Sequence, residues 1–111
     1  MILNLHHPGE IMKVTYYQYD WNAGAQVYES HFKIIMNADA EAVRSAWDTD
    51  FYTRAASFDH GASDPLVACD AAFQRYQDNP KLRSMAVGDI IKVDTKFYLV
   101  KPMGFEKINL D

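Results

Sequence analysis

Cysteine is nearly missing from this chain of 111 residues: Cys69 stands alone. No disulfide can form within the chain, and a lone thiol fits a reducing compartment. Long apolar runs are missing too. None approaches the roughly 20 residues that a membrane helix needs, and the first residues lack the basic region and apolar core of a signal peptide. A cytoplasmic protein with no membrane partner is the expectation. Basic residues are outnumbered, 11 Lys and Arg against 15 Asp and Glu, for a net charge of −4 and a sequence pI near 5.4. That balance disfavours non-specific attachment to phosphate backbones without being acidic enough to suggest DNA mimicry. Chemistry-bearing motifs are absent as well: there is no Walker A loop, no Gly-x-Gly-x-x-Gly, no His-Glu-x-x-His, no Cys-x-x-Cys and no Gly-x-Ser-x-Gly elbow. No enzyme, cofactor or metal is expected from such a chain.

What the sequence does contain is apolar and aromatic material, 49% and 14% of its residues. This is enough for the core of one domain and leaves no room for a second. Residues 1–10 end in a Pro-Gly breaker and read as an arm, either an upstream extension before Met12 or a strand-like segment that docks late. The adjacent His6 and His7 in it would point to opposite sides of an extended chain, poor geometry for one metal. Residues 11–111 form the expected domain. Ile11 to Tyr19 is dense in β-branched and aromatic residues and reads as a strand. Asp20 to Ala25 reads as a loop, and Val27 to Met36 as a second strand, with Tyr28, Phe32, Ile34 and Met36 alternating against Glu29, His31 and Lys33. These two strands are expected to make an antiparallel hairpin.

A change of period at Asn37 predicts a short helix over 38–48, capped at Asn37 and carrying Val43 and Trp47 one turn apart. Residues 50–60 suit either an irregular segment or a strand. Asp64-Pro65 is a strong helix start, followed by Leu66, Cys69, Phe73 and Tyr76 at helical spacing until Asn79-Pro80. Gly88-Asp89 then supplies a turn before two strands, Ile90 to Val93 and Phe97 to Val100, joined through Asp94-Thr95-Lys96. Gly104-Phe105 reads as a bend that returns Phe105 and Ile108 to the core. The expected architecture is therefore α+β: a small, mostly antiparallel sheet, built from an N-terminal hairpin and a C-terminal strand pair, with two helices packed on one face.

Four groups of residues invite a functional reading. Trp21, Tyr17 and Tyr19 are candidates for a binding surface, because interface anchors are rich in Trp, Tyr and Arg; packing over the sheet is the competing account. Ser84, Gly88, Asp89 and Gly104 read as structural turn residues, Gly88 by adopting a positive φ and Asp89 by bonding the backbone ahead of its strand. Cys69 sits on an apolar helical stripe and reads as a small core residue. Ser57, Asp59, His60 and Ser63 are hydrolase residue types in a region where loops normally carry them.

The segments Phe73-Gln74-Arg75-Tyr76-Gln77-Asp78-Asn79-Pro80, Leu82-Arg83-Ser84-Met85-Ala86-Val87-Gly88-Asp89-Ile90-Ile91, Phe97-Tyr98-Leu99-Val100 and Gly104-Phe105 follow one another as in the YodL-like domain family, which the chain resembles over 66–105. The opening Val14-Thr15-Tyr16-Tyr17-Gln18 is similar to that family's first strand. Met85-Ala86, Tyr76-Gln77 and Lys101-Pro102-Met103 depart from its usual residues. The resemblance implies a bacteriophage, plasmid or other mobile-element protein, of a kind thought to travel with invading DNA and protect it, and it carries no catalytic residues. The expected function is thus a small protein that binds and modulates a host protein, counteracting host defence. The alternative is a nucleic-acid-binding module, which requires Lys13, Lys92, Lys96 and Lys101 to gather on one face.

Overall fold

A computed structural model describes residues 11–61, 64–77 and 83–110. The expected arm over 1–10 and the helix stop at Asn79-Pro80 lie outside the described residues. Along the chain come β1 (Met12–Tyr19), α1 (Trp21–Gly24), α2 (Tyr28–Asn37), α3 (Ala40–Asp48), β2 (Tyr52–His60), α4 (Pro65–Gln77), β3 (Ile90–Val93), β4 (Lys96–Val100) and β5 (Phe105–Ile108). The strands make one sheet in the order β2-β1-β3-β4-β5, antiparallel at every pairing. The α+β class and the antiparallel sheet are those expected from the sequence.

The described residues hold four helices rather than the expected two, α1 lying within the segment read as a loop over 20–25, and three further particulars differ. The segment read as a second strand is helix α2, so no N-terminal hairpin forms. Positions 28, 32 and 36 are four apart, which satisfies both an alternating pattern and a helical one, and alternation alone could not separate them. The helix buries Ile34 and leaves Phe32 and Met36 on its outer side. It ends at Ala38, left-handed at φ 50°, whose N–H bonds the carbonyl of Ile34 while that of Asp39 bonds Lys33. Asp39, rather than Asn37, then caps α3 by accepting from the N–H of Ala42.

The antiparallel partner of β1 is instead the segment 52–60, β2, which pairs along the whole length of β1. The register shifts between Tyr16 and Tyr17, opposite Ala56 and Arg54, so Ala55 is an extra residue on β2.

The helices also do not share one face. Met12, Val14 and Tyr16 of β1, with Ile91, Val93, Tyr98 and Val100, pack against Ala68, Cys69, Ala72 and Tyr76 of α4. On the opposite face Tyr19, Ile90, Phe97, Leu99 and Ile108 pack against Ile34, Ala38, Ala42, Val43 and Ala46 of the α2–α3 pair. Alternate residues of each strand thus feed two separate cores, which is why β3 and β4 read as nearly continuous apolar runs. α4 approaches through small residues, Ala68, Cys69 and Ala72, while Leu66, expected inside, is half exposed. Asp64 starts this helix by accepting from the N–H of Leu66 ahead of Pro65. Among the described residues no helix is long and apolar enough to cross a membrane.

Candidate functional site

Both cores meet at the start of β3, and the residue there is a carboxylate. Asp89 is fully buried. An isolated buried charge is costly unless paired and hydrogen-bonded, and here five donors converge on it. Oδ1 accepts from the N–H of Tyr19 and from Nη2 of Arg83, both at 2.9 Å. Oδ2 accepts from the hydroxyl of Tyr16 at 2.7 Å, the N–H of Ala86 at 2.8 Å and Nη1 of Arg83 at 3.1 Å. The Arg83–Asp89 pair is bidentate, the geometry that makes such pairs strong.

The turn that delivers Asp89 is held from several sides. Gly88 takes φ 94°, and a Cβ there would stand 2.6 Å from Cγ2 of Ile34 in α2. The position therefore demands glycine both for its backbone conformation and for the close approach of the helix. The carbonyl of Gly88 accepts from the Tyr52 hydroxyl of β2 at 2.6 Å, and its N–H donates to Val100. Ser84 donates its hydroxyl to the carbonyl of Gln77, tying the segment to the end of α4. Gly104, at φ 73°, closes the β4–β5 loop by accepting from the N–H of Lys101.

Burial, then the charge of Asp89, holds the Tyr16 hydroxyl well above the usual phenol range, and the same two causes act on Tyr52. For Arg83, burial pulls downward, but the hydrogen bond and charge of Asp89 outweigh it, and the guanidinium stays protonated. The centre is saturated rather than poised for proton transfer. Among the described residues no buried side-chain polar atom lacks a partner.

The outer side of Arg83 is different. Its Cζ lies 4.6 Å from the centre of the Trp21 ring, and Trp21 remains 46% exposed. Beside them is an open depression of about 400 Å³ lined by Gln18, Tyr19, Asp20, Trp21, Asn22, Thr53 and Arg83. Trp21 is placed there because Asp20 caps α1, accepting at Oδ1 from the N–H groups of Asn22 and Ala23, and because the N–H of Asp20 bonds the carbonyl of Phe51. Gly24 completes the turn: a side chain at that position would run into the Tyr19 ring.

The three aromatic candidates do not form one surface. Tyr19 is buried among the residues of the α2–α3 face, its hydroxyl 2.9 Å from Nδ1 of His31. Tyr17 is half-buried and edge-on to Trp47. Tyr16, on the opposite face, stacks on Tyr76. Tyr19 and Trp21 nevertheless both border the depression.

The lysines do not all gather on one face, although Lys13, two residues before Thr15 on β1, lies on the same side of the sheet as Lys92. Lys92 pairs with Thr15 and Phe97, whereas Lys96 pairs with Val93 and so projects from the other side of the sheet. Nζ of Lys101 is bonded to the carbonyls of Asn37 and Ala38 and lies 3.3 Å from Glu106.

The Cys69 thiol is buried, and burial together with the charge of Asp64 pushes it up to about 12. It is a packed core residue with no thiolate to offer at neutral pH. Ser57 accepts from Arg54 at its hydroxyl, while Asp59 and His60 are consecutive on β2 and face opposite sides of the sheet. Ser63 lies outside the described residues. Among the described residues no group of three His, Cys, Asp or Glu side chains could hold a metal ion.

Arg83 is the residue that sequence reasoning missed. Its signal was present in retrospect: an Arg six residues before an Asp, across a glycine turn, can close a bidentate pair, although local patterning does not say that the pair is buried. Comparison with family models, with curated proteins and with solved structures returns no match for this chain.

Proposed function

We propose that this chain is a binding protein rather than a catalyst, and that it engages a protein partner through the surface around Trp21 and Arg83. The observation that carries this reading is the half-exposed Trp21 ring lying on a guanidinium that is itself fixed by a buried carboxylate. Trp, Tyr and Arg dominate interface hot spots, and an anchor already held in place loses little freedom on binding. The resemblance to YodL-like domains supplies the setting: a phage or mobile-element protein, working in the host cytoplasm, whose partner is a host protein and whose effect is to counteract host defence. Lys96 on the opposite side of the sheet from Lys92, Lys101 bonded to backbone carbonyls, and the acidic balance weigh against the nucleic-acid alternative.

The test is affinity capture from host cells with wild type and Trp21→Ala in parallel. A host protein retained by the wild type and lost with the variant supports the proposal. Equal recovery by both, or salt-sensitive retention of nucleic acid as the sole result, removes it.

A further inference from the structure

Building on this binding role, we infer that the depression beside Trp21 receives a cationic side chain, lysine or arginine, from the partner protein. The sign of the charge follows from how the two charged residues lining the depression are used. Arg83, the cation there, is spent inward: Nη1 donates to Oδ2 of Asp89 and the carbonyl of Ser84, and Nη2 donates to Oδ1 of Asp89 and the carbonyl of Tyr19. Those four bonds use every N–H on the two terminal nitrogens. A carboxylate or phosphate arriving at the surface would find only the Nε–H outside those four bonds, and the positive charge it would seek is already offset by Asp89.

Asp20 is used differently. Only Oδ1 serves the cap of α1; Oδ2 makes no hydrogen bond among the described residues, and the residue is exposed. Burial, then the charge of Asp20, holds the Tyr19 hydroxyl above its usual range. The excess charge at the opening is therefore negative. Trp21 has the right partner chemistry beside it, since its ring already attracts one guanidinium at 4.6 Å and leaves nearly half its surface open.

Recognition by a side chain is favoured over strand addition along neighbouring β2. That edge carries the extra residue Ala55 and the exposed Arg54 and Asp59, features that discourage pairing with another strand.

The experiment titrates the full-length protein, labelled with nitrogen-15, with blocked tripeptides Gly-Arg-Gly, Gly-Lys-Gly and Gly-Glu-Gly. The indole N–H resonance of Trp21 is followed, with that of Trp47, packed between Tyr17 and Phe97, as internal reference. The Arg and Lys peptides are expected to shift Trp21 and leave Trp47 in place, while the Glu peptide shifts neither. Asp20→Asn keeps a good cap and should weaken the Arg and Lys peptides by about fivefold or more. An equal response to the Glu peptide, no response to any peptide, or Asp20→Asn behaving as wild type overturns the inference. A host partner lost with Trp21→Ala but held undiminished by Asp20→Asn also overturns it, and leaves the binding role standing. Undiminished retention of that partner by both variants removes the binding role and this inference together.

Discussion

Arg83 separates two regions that share one side chain and differ in almost everything else. Inward, at Asp89, five donors meet one carboxylate and nothing is open to solvent. Outward, at Trp21, the same guanidinium meets a ring that is nearly half exposed, beside Asp20, whose Oδ2 makes no hydrogen bond among the described residues. A saturated buried network fixes a structure and offers nothing to a ligand; an exposed but immobilised aromatic does the opposite. The difference suggests that the inner region carries stability and the outer one carries recognition. Substitutions on either side of Arg83 can break that division.

The largest effect is expected from Asp89→Ala. It strands the Arg83 guanidinium, the Tyr16 hydroxyl and two backbone N–H groups at once, and removing one partner of a buried pair costs about 3 to 5 kcal/mol. Thermal or denaturant unfolding measures this. A variant that melts within a few degrees of wild type would remove the structural role assigned to the inner region. Gly88→Val comes next. A β-branched residue at φ 94° is strained by about 1 to 3 kcal/mol, and its Cβ also drives into Ile34, adding overpacking of similar size. An unchanged melting temperature would show that the turn relaxes freely, and that Asp89 is not held by it.

Tyr16→Phe is milder, because Oδ2 of Asp89 keeps the N–H of Ala86 and Arg83. A loss of about 1 to 2 kcal/mol is expected. This variant has a second signature in pH. Burial and Asp89 raise the folded pKa of Tyr16 above its ordinary value of 10.0, so above about pH 10 the unfolded chain releases a proton that the folded chain retains. Stability is fully present below that pH and falls as pH rises beyond it. Melting curves between about pH 8 and pH 11 should decline less steeply for Tyr16→Phe than for wild type; parallel curves would mean that Tyr16 titrates normally in the fold.

The same division marks how much could be read from the sequence. β1, the β3–β4 hairpin and the start of α4 were legible because each is specified locally, by β-branched density, by Asp94-Thr95 with Asp94 at φ 55°, and by Asp64-Pro65. Gly88 was legible for the same reason. α2 was not, since its apolar residues stand at a spacing common to both periods. β2 was not, because an edge strand carrying Thr53, Arg54 and Asp59 has little alternation to display. The centre at Asp89 is illegible for a deeper reason: Tyr16 donates to it from 73 positions away and Tyr19 from 70. Trp21 could be read as exposed or folded back, and its place over Arg83, a contact between residues 62 positions apart, is encoded by no local pattern.

Trp21→Ala should give the smallest change in stability, and its value lies in the contrast with Asp89→Ala. Truncating a fully buried tryptophan costs about 3 to 5 kcal/mol, but Trp21 is 46% exposed and its ring contact among the described residues is the cation–π pair with Arg83, worth about 0.5 to 1 kcal/mol at exposed sites. Arg83 keeps both bonds to Asp89 when the ring is gone, so the inner network should survive intact. The expected result is a melting temperature lowered by no more than a few degrees, with an unchanged pH profile. A partner-binding assay should meanwhile lose upwards of about 1 kcal/mol of affinity. Loss of several kcal/mol of stability would show instead that the ring shields the Arg83–Asp89 pair from water, and that the two sides of Arg83 work as one structural unit.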